Sequence, residues 1–533
     1  MSAPLLPGPP VSGRRLVVPA AVEGQRLLAI GAPMIAEELL TYASTLVSLA
    51  YAGRLPVAPG GVHPLSAFAL SRSLTNITGI ALLNGVTGAL DTVGSQAHGS
   101  RSFPAVGLAL QRALLLSLAA CVPLLGLYAA AGPVLRALGQ QPGVAAAAAR
   151  YTRLYAARIP LHAVVLCLYR TLASQGAAGY VLAGGAAFFA ATPPLNHLLI
   201  HTLRLGLDGS ALAAVASEGV YVAALALLCW RHNSRQAVDA RWWRGWDLRA
   251  ALSDWGPYLK LSLAATAMIV ADWWAYDILT LLAGLLPNPE LPLAATGVLY
   301  NIQASVFMLP FGLAFALCAR VGHHLGGRRP RSARLAADIG ITTGAGLAAL
   351  PAFLLLLLRR QAASLFSSDP AVVQLCGALM LPLAVCMITN GLTALLSGIL
   401  RGAGRQKFGA AVNAGCNYGL GLPLQCLLAF ALHWGTAGLW WGIAAAAVLQ
   451  SFLLGAVVSR CDWRQESARA ALLVRHLSGA GWRQAAPPAG DEGADVEAAQ
   501  EEEEEEVEGE LPSPRQELDE AGAAGAGAAP PLL

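Results

Sequence analysis

Apolar segments of about 20 residues recur along this chain from Leu27 to Val458, and no polar interval between them is long enough to fold on its own. A helix of this length crosses the hydrocarbon core of a bilayer. The composition agrees, because 56% of the 533 residues are apolar and only 12% are charged, against about 25% charged residues in soluble domains. The sequence therefore predicts an all-α integral membrane protein.

The apolar segments divide into twelve predicted transmembrane helices. Their approximate bounds are 27–53, 64–94, 105–130, 148–174, 179–201, 209–230, 256–286, 291–320, 336–358, 372–400, 407–432 and 436–459. Gly and Ala are frequent in several of these segments, and small residues allow membrane helices to pack closely.

Lysine and arginine lie mostly in alternate loops. They cluster between spans six and seven, between spans eight and nine, and around the junction of spans ten and eleven, whereas the seven–eight and eleven–twelve loops have none. Because loops rich in Lys and Arg face the cytoplasm, the pattern predicts that both termini are cytoplasmic.

The two halves of the chain resemble each other. Pro194-Leu195 recurs as Pro423-Leu424, and Gly209 recurs as Gly438 at the same separation. Six helices per half keep the two halves in the same orientation, which predicts two pseudo-symmetric six-helix bundles related by an axis along the membrane normal. The predicted divisions are an N-terminal segment 1–25, an N-terminal bundle 26–230, an inter-bundle loop 231–255, a C-terminal bundle 256–460 and a tail 461–533.

The tail changes character from basic to acidic. Arg464, Arg469 and Arg475 are interleaved with apolar residues, so 462–481 is predicted to form a short helix at the membrane interface. From about residue 484 the composition predicts disorder, and Glu501 to Glu506 form an unbroken acidic run.

Acidic residues within apolar segments are the strongest functional signal. An Asp at the centre of a membrane helix costs roughly 2.5–3.5 kcal/mol, so such a residue usually faces a water-filled cavity and binds a ligand. Span seven carries Asp272 and Asp277, and span one carries Glu37 and Glu38. Asp91 in span two reads as structural, and the sequence gives Glu218 in span six no role.

The two acids of span seven are five residues apart, so they point about 140° from each other around the helix. Asp272 therefore shares a face with Tyr276, and Asp277 shares one with Trp273. A buried carboxylate favours its neutral form, so it can exchange a proton for a bound cation.

Several motifs resemble the multidrug and toxic compound extrusion (MATE) family, in its eukaryotic plant- or alga-like branch. They are Gly88-Ala89-Leu90-Asp91-Thr92, Gln96-Ala97-His98-Gly99, Asp272-Trp273-Trp274-Ala275-Tyr276-Asp277, Pro310-Phe311-Gly312, Arg401-Gly402-Ala403-Gly404 and Gly438-Leu439-Trp440. The resemblance covers about residues 27–460.

The resemblance implies a V-shaped central cavity between two bundles, and a secondary active antiporter that exports organic solutes or xenobiotics, cationic or amphipathic, in exchange for protons. It implies proton coupling at Asp272 and Asp277, which stand where the family has Glu. The residues expected to bind substrate are Trp273, Tyr276, Asn301, Asn390, Glu37 and Glu38. Asn390 departs from the family, because plant-like members have an acidic residue there; it cannot titrate but can bind substrate or Asp272.

The expected partners are a small organic substrate, protons and the lipid bilayer, for a monomer that binds no nucleic acid, cofactor or metal, in the plasma or vacuolar membrane. The alternatives are a lipid flippase of the same superfamily and a sodium-coupled exporter of an anionic or neutral metabolite. An integral-membrane enzyme is disfavoured, because the sequence has no phosphate-binding loop, HEXXH or GxSxG motif.

Overall fold

The computed structural model describes residues 20–56, 64–253, 255–365 and 369–478. The acidic run and most of the predicted N-terminal segment lie outside these ranges.

Twelve long helical rods, α1 to α12, and a shorter C-terminal helix, α13, run through the described residues. They are α1 Ala20–Gly53, α2 Pro64–Gly99, α3 Phe103–Ala129, α4 Pro142–Tyr155 with Arg158–Ser174, α5 Ala178–Thr202, α6 Gly206–Arg235, α7 Trp255–Ala283, α8 Glu290–Gly326, α9 Pro330–Leu357, α10 Pro370–Ala378 with Met380–Gly402, α11 Gln406–Ala414 continuing through Leu427–Ala431, α12 Thr436–Ser459 and α13 Trp463–Ser478. Short helices at Ala131–Ala137, Val238–Ala240, Leu248–Ala251 and Arg359–Ser364 lie in the connections.

Nine helices of the described ranges are long and apolar enough to cross a membrane, and α4 makes a tenth when its two parts, which meet at 48°, form one span. The other two rods, α1 and α11, carry polar residues in their middle turns, among them Glu37 and Asn417. The predicted all-α membrane class is confirmed.

Helix α1 begins at Ala20, earlier than the predicted boundary at residue 26. The reason is an ion pair, since both carboxylate oxygens of the buried Glu23 accept hydrogen bonds from Arg320 of α8, at 2.8 and 2.6 Å. This pairing lets a charged first turn pack against a neighbouring helix. Helix α6 likewise runs past the predicted start of the inter-bundle loop, to Arg235.

Helices α1 and α7 lie at the boundary between the halves, the N-lobe (α1–α6) and the C-lobe (α7–α12). Helix α1 packs against α5 of its own lobe and against α8 and α9 of the other, while α7 packs against α11 and α2. Both helices that carry the predicted functional acids thus contact both lobes.

Among the described residues, the hydrophobic clusters that the two lobes share lie at one end of the helices. We call this end, which carries the α2–α3, α6–α7, α8–α9 and α10–α11 connections, the basic end. There, one hydrophobic cluster combines N-lobe residues with Tyr258 and Phe315, and another combines Leu27 with C-lobe residues. Toward the opposite end each cluster draws its residues from a single lobe. The structure is therefore closed at the basic end.

Backbone meets backbone where α2 and α8 end. A Cβ atom at Gly326 would overlap the carbonyl oxygen of Gln96, and a Cβ atom at Gly99 would overlap that of His323. Only glycine allows the two chains to come this close.

Helix α13 bridges the two lobes at the basic end. The buried Glu466 accepts a hydrogen bond from Arg405 Nε at 2.8 Å, Ser467 donates to the carbonyl of Leu325, and Leu477 accepts from Arg112 of α3. Burial lowers the pKa of Arg405, but the hydrogen bond and charge of Glu466 outweigh this and the pKa is raised.

The helix predicted at 462–481 is thus confirmed for Trp463–Ser478, but it packs on protein instead of lying free at the membrane interface. Val474 and Leu477 are buried in the cluster that the lobes share. The residues from about 484 on, for which disorder is predicted, lie outside the described ranges.

Candidate functional site

Asp272 is held by three carboxamides of the C-lobe. Oδ1 accepts hydrogen bonds from Gln450 Nε2 of α12 at 2.5 Å and from Asn417 Nδ2 of α11 at 3.2 Å, and Oδ2 accepts from Asn413 Nδ2 at 2.9 Å. Asn413 and Asn417 are one helical turn apart, so both side chains reach the same face of α7.

The Asp272 carboxylate has no cationic partner among the described residues. Its three neighbours are neutral donors, which offset part of the cost of burying the carboxylate without neutralising its charge. A proton or an organic cation is needed to do that.

Tyr276 lies one turn further along α7. Its hydroxyl accepts a hydrogen bond from Asn390 Nδ2 of α10, and its ring contacts that of Tyr300 of α8, with the centroids 6.2 Å apart. Of the two partners expected for Asn390, substrate or Asp272, the described hydrogen bonds do not include Asp272, because the Asn390 amide donates to Tyr276. Asn390 still joins α10 to the same face of α7.

The other predicted residues of α7 lie partly open. Asp277 and Trp273 are half-buried, and no hydrogen bond or ion pair holds Asp277 among the described residues. Trp274 is 39% exposed and donates from Nε1 to the carbonyl of Ile77 in α2, at 3.0 Å. Helix α7 thus reaches the N-lobe through an aromatic side chain.

The side chain of Asn301 stays within its own helix. Its Nδ2 donates to the carbonyl of Gly297 at 2.8 Å, and its backbone carbonyl accepts from Tyr42 of α1 at 3.4 Å. The structure therefore does not bring the Asn301 amide to either carboxylate group.

Glu37 and Glu38 form a second acidic site, in the N-lobe. Glu37 is 2% exposed, and its Oε1 accepts hydrogen bonds from Tyr221 of α6 at 2.6 Å and from Thr41 at 2.8 Å. Its Oε2 is buried without a partner. Glu38 is half-buried and accepts from Tyr169 of α4 at 3.0 Å. Both acids are held by neutral hydroxyl groups.

The remaining intramembrane acids are paired with arginine. Glu218, which the sequence left without a role, accepts from Arg158 at 2.8 Å and contacts His162 at 2.7 Å, beside the bend of α4. Asp91 is bound by Arg170 and Arg401. The acids therefore sort into two kinds. Glu218 and Asp91 form ion pairs with arginine, whereas Asp272, Asp277, Glu37 and Glu38 form no ion pair among the described residues.

The sequence analysis missed the carboxamides around Asp272 and the tyrosine beside Glu37. A usable signal existed, because Asn413, Asn417 and Gln450 are polar residues within apolar spans, and the two asparagines are at helical spacing. The faces that α11 and α12 turn toward α7 could not be derived from the sequence, so the contact of these amides with Asp272 could not be predicted.

A helical membrane protein with two related lobes and uncompensated acids at their boundary has the form of a secondary transporter. Comparisons agree. The MatE family model matches twice, at residues 33–197 and 264–427, once in each lobe. The chain is 33% identical to multidrug and toxin extrusion protein 1 of Xenopus tropicalis, over 86% of this chain and 78% of that protein.

It is 32% identical to Protein DETOXIFICATION 16 of Arabidopsis thaliana, over 86% of this chain and 92% of that protein. Among solved structures, the eukaryotic MATE transporter AtDTX14 superposes with a TM-score of 0.80 at 27% identity, covering 85% of this chain and 99% of that one. The chain belongs to the MatE family of multidrug and toxin extrusion transporters, and the predicted plant-like resemblance is confirmed.

Proposed function

We propose that this transporter exports organic cations in exchange for protons, and that Asp272 is the group for which the two compete. The observation that carries the proposal is the environment of Asp272, a membrane carboxylate with three neutral donors and no cationic partner among the described residues.

The Asp272 carboxylate can hold a proton or a cation, but not both at once. A ligand shifts an equilibrium only through different affinities for the two states. With Asp272 ionised, the site attracts a cation; with Asp272 protonated, the attraction is lost and the cation leaves. Proton entry from one side of the membrane can thus drive substrate release to that side.

Neighbouring groups suit a cationic, partly apolar substrate. Tyr276, Tyr300 and Trp273 offer aromatic faces near the two acids of α7, and such faces attract organic cations. Asp277, half-buried and without a partner among the described residues, adds a second negative charge on the path to Asp272. Glu37 and Glu38 serve as a proton site of the N-lobe.

The orientation follows from the loops. The basic end carries the arginine-rich connections, which the positive-inside rule assigns to the cytoplasm. In this orientation the structure is closed toward the cytoplasm and both termini are cytoplasmic. We propose that the chain acts as a monomer, in the plasma or vacuolar membrane.

The test is uptake of radiolabelled tetraethylammonium into proteoliposomes under an imposed gradient. With an acidic lumen and clamped membrane potential, we expect uptake above the flux of protein-free vesicles, abolished by a protonophore. An outward-directed sodium gradient at equal pH, with high sodium in the lumen, should give no uptake. Uptake driven by sodium alone would contradict the proposal, as would the absence of uptake under both gradients.

A further inference from the structure

Three charged side chains meet in the protein interior where the lobes join at the basic end. Asp91 of α2 accepts hydrogen bonds on the same oxygen, Oδ2, from Arg170 Nη1 of α4 and from Arg401 Nη1 of α10, the latter at 3.3 Å. All three side chains are no more than 4% exposed. Arg401 comes from the C-lobe and the other two from the N-lobe, so this cluster spans the closed junction.

The charges of this cluster do not balance. Two guanidinium groups share one carboxylate, and the Nε atoms of both Arg170 and Arg401 are buried without a hydrogen-bond partner. Among the described residues, the other hydrogen bonds of Arg170 go to the neutral Asn84, at 3.1 and 3.2 Å. An uncompensated buried charge is strongly destabilising, so the closed junction requires a second negative charge nearby.

A short chain of contacts leads from the cluster to Glu38. The Phe315 ring of α8 lies 5.4 Å from the Arg170 guanidinium and 5.0 Å from that of Arg401. Its other neighbour is the Tyr169 ring, 5.4 Å away, and the Tyr169 hydroxyl donates to Glu38. The charge of Glu38 interacts with those of both arginines.

We propose that Glu38 is the missing counter-charge and that Arg401 is a positioning residue through which the C-lobe responds to it. When Glu38 is ionised, two negative charges balance two positive ones and the basic end stays closed. When Glu38 takes a proton, the cluster keeps an excess positive charge in a buried place, and separation of Arg401 from Asp91 relieves it by letting water in. This inference rests on the proposed proton exchange for its physiological role.

The titratable and charged groups that interact with Glu38 are Glu37 of α1, Tyr169 and Arg170 of α4, Tyr221 of α6 and Arg401 of α10. Asp91 of α2, Tyr258 of α7 and Cys318 of α8 interact with one or both arginines instead. Glu37 has its own donors in Tyr221 and Thr41, and none of its described hydrogen bonds reaches the arginines. Of the two neighbouring acids, Glu38 is therefore the one linked to the cluster.

The direction suits an exporter. A proton that enters from the open side, opposite the basic end, reaches Glu38 while the basic end is closed. Its binding then favours opening of the basic end, where the proton leaves and substrate enters. The N-lobe acid would thus control the conformation, while Asp272 would control occupancy.

The experiment measures conformation and not transport. Spin labels are placed on the exposed positions Arg231 of α6 and Arg331 of α9, after replacement of the native cysteines, in the full-length protein in lipid nanodiscs. The distance between the labels is measured by pulsed electron paramagnetic resonance at alkaline pH. The wild-type protein should be mainly closed, with the open form at a minor-state population of about 0.1–10%.

Glu38→Gln should make the open, long-distance form the majority at the same pH, because it fixes the neutral state. Asp338→Asn removes the same charge from an exposed position on α9 and should stay closed. The double variant Glu38→Gln with Arg170→Gln should close again, since it leaves one neutral pair, Arg401 and Asp91, across the junction.

A Glu38→Gln distance distribution equal to that of wild type would overturn the inference, as would a double variant as open as the single one. A pH titration of wild type separates this inference from the proposed function. If the label distance in wild type does not change with pH while Glu38→Gln is open, Glu38 is still the counter-charge of the two arginines. That result would contradict the claim that Glu38 exchanges a proton during transport.

Discussion

Replacing Asp272 by Asn is expected to abolish tetraethylammonium uptake driven by a pH gradient. Asn has the same size but cannot ionise, so it can neither attract a cation nor exchange a proton. Its amide nitrogen would replace one carboxylate oxygen and would face either Asn413, or Asn417 and Gln450, as a donor against donors. Typical coupling between two ligands is about 1–3 kcal/mol, or about 5- to 150-fold in affinity, and we expect all of it to be lost.

The measurement compares initial uptake rates in proteoliposomes with equal amounts of folded protein, judged by monodisperse elution. Asp338→Asn, the same substitution on the exposed face of α9, is the matched control and should transport like wild type. Gradient-driven uptake by Asp272→Asn at the wild-type rate would remove Asp272 from the mechanism and leave Asp277 or the N-lobe acids as the coupling groups.

Replacing Gly326 by Ala is expected to prevent closure of the basic end. The added Cβ atom would overlap the backbone carbonyl of Gln96, which cannot move aside as a flexible side chain can. Overpacking of this kind costs about 1–3 kcal/mol, and here the cost falls only on the closed state, because the lobes separate in the open one. Transport should fall while the protein still folds.

Spin labels at Arg231 and Arg331 report this effect directly as a rise in the long-distance form. Gly297→Ala in the same helix is the control, since a Cβ atom there meets nothing within 4 Å. A closed Gly326→Ala protein with wild-type transport would show that α2 and α8 do not form the junction that opens during the cycle.

The membrane class and the positions of the intramembrane acids could be predicted from the sequence because both depend on local composition. A run of apolar residues spans a bilayer wherever it occurs, and Asp272 or Glu37 within such a run is costly regardless of its neighbours. The repeat of Pro194-Leu195 as Pro423-Leu424 was likewise readable, and the two matches of the family model agree with it.

The partners of those acids could not be predicted, because they depend on how helices far apart in sequence are rotated. Nothing in the sequence separates Glu218 from Asp272, yet Arg158 pairs with Glu218 and no arginine reaches Asp272 among the described residues. The arginines that pair with Asp91, which the sequence indicates to be structural, were likewise not predictable. The packing of α13 on the protein was missed for the same reason. In the sequence Glu466 resembles a solvent-exposed acid, and only the structure shows that it accepts a hydrogen bond from Arg405.

The central claim is that a proton and an organic cation compete for Asp272. Its most direct test is proton release from purified protein when tetraethylammonium is added, followed with a pH indicator in weakly buffered solution. Wild type at mildly acidic pH should release protons as the substrate site fills, and Asp272→Asn should bind weakly and release none. Saturable binding to wild type without proton release, or equal release from both proteins, would contradict the account.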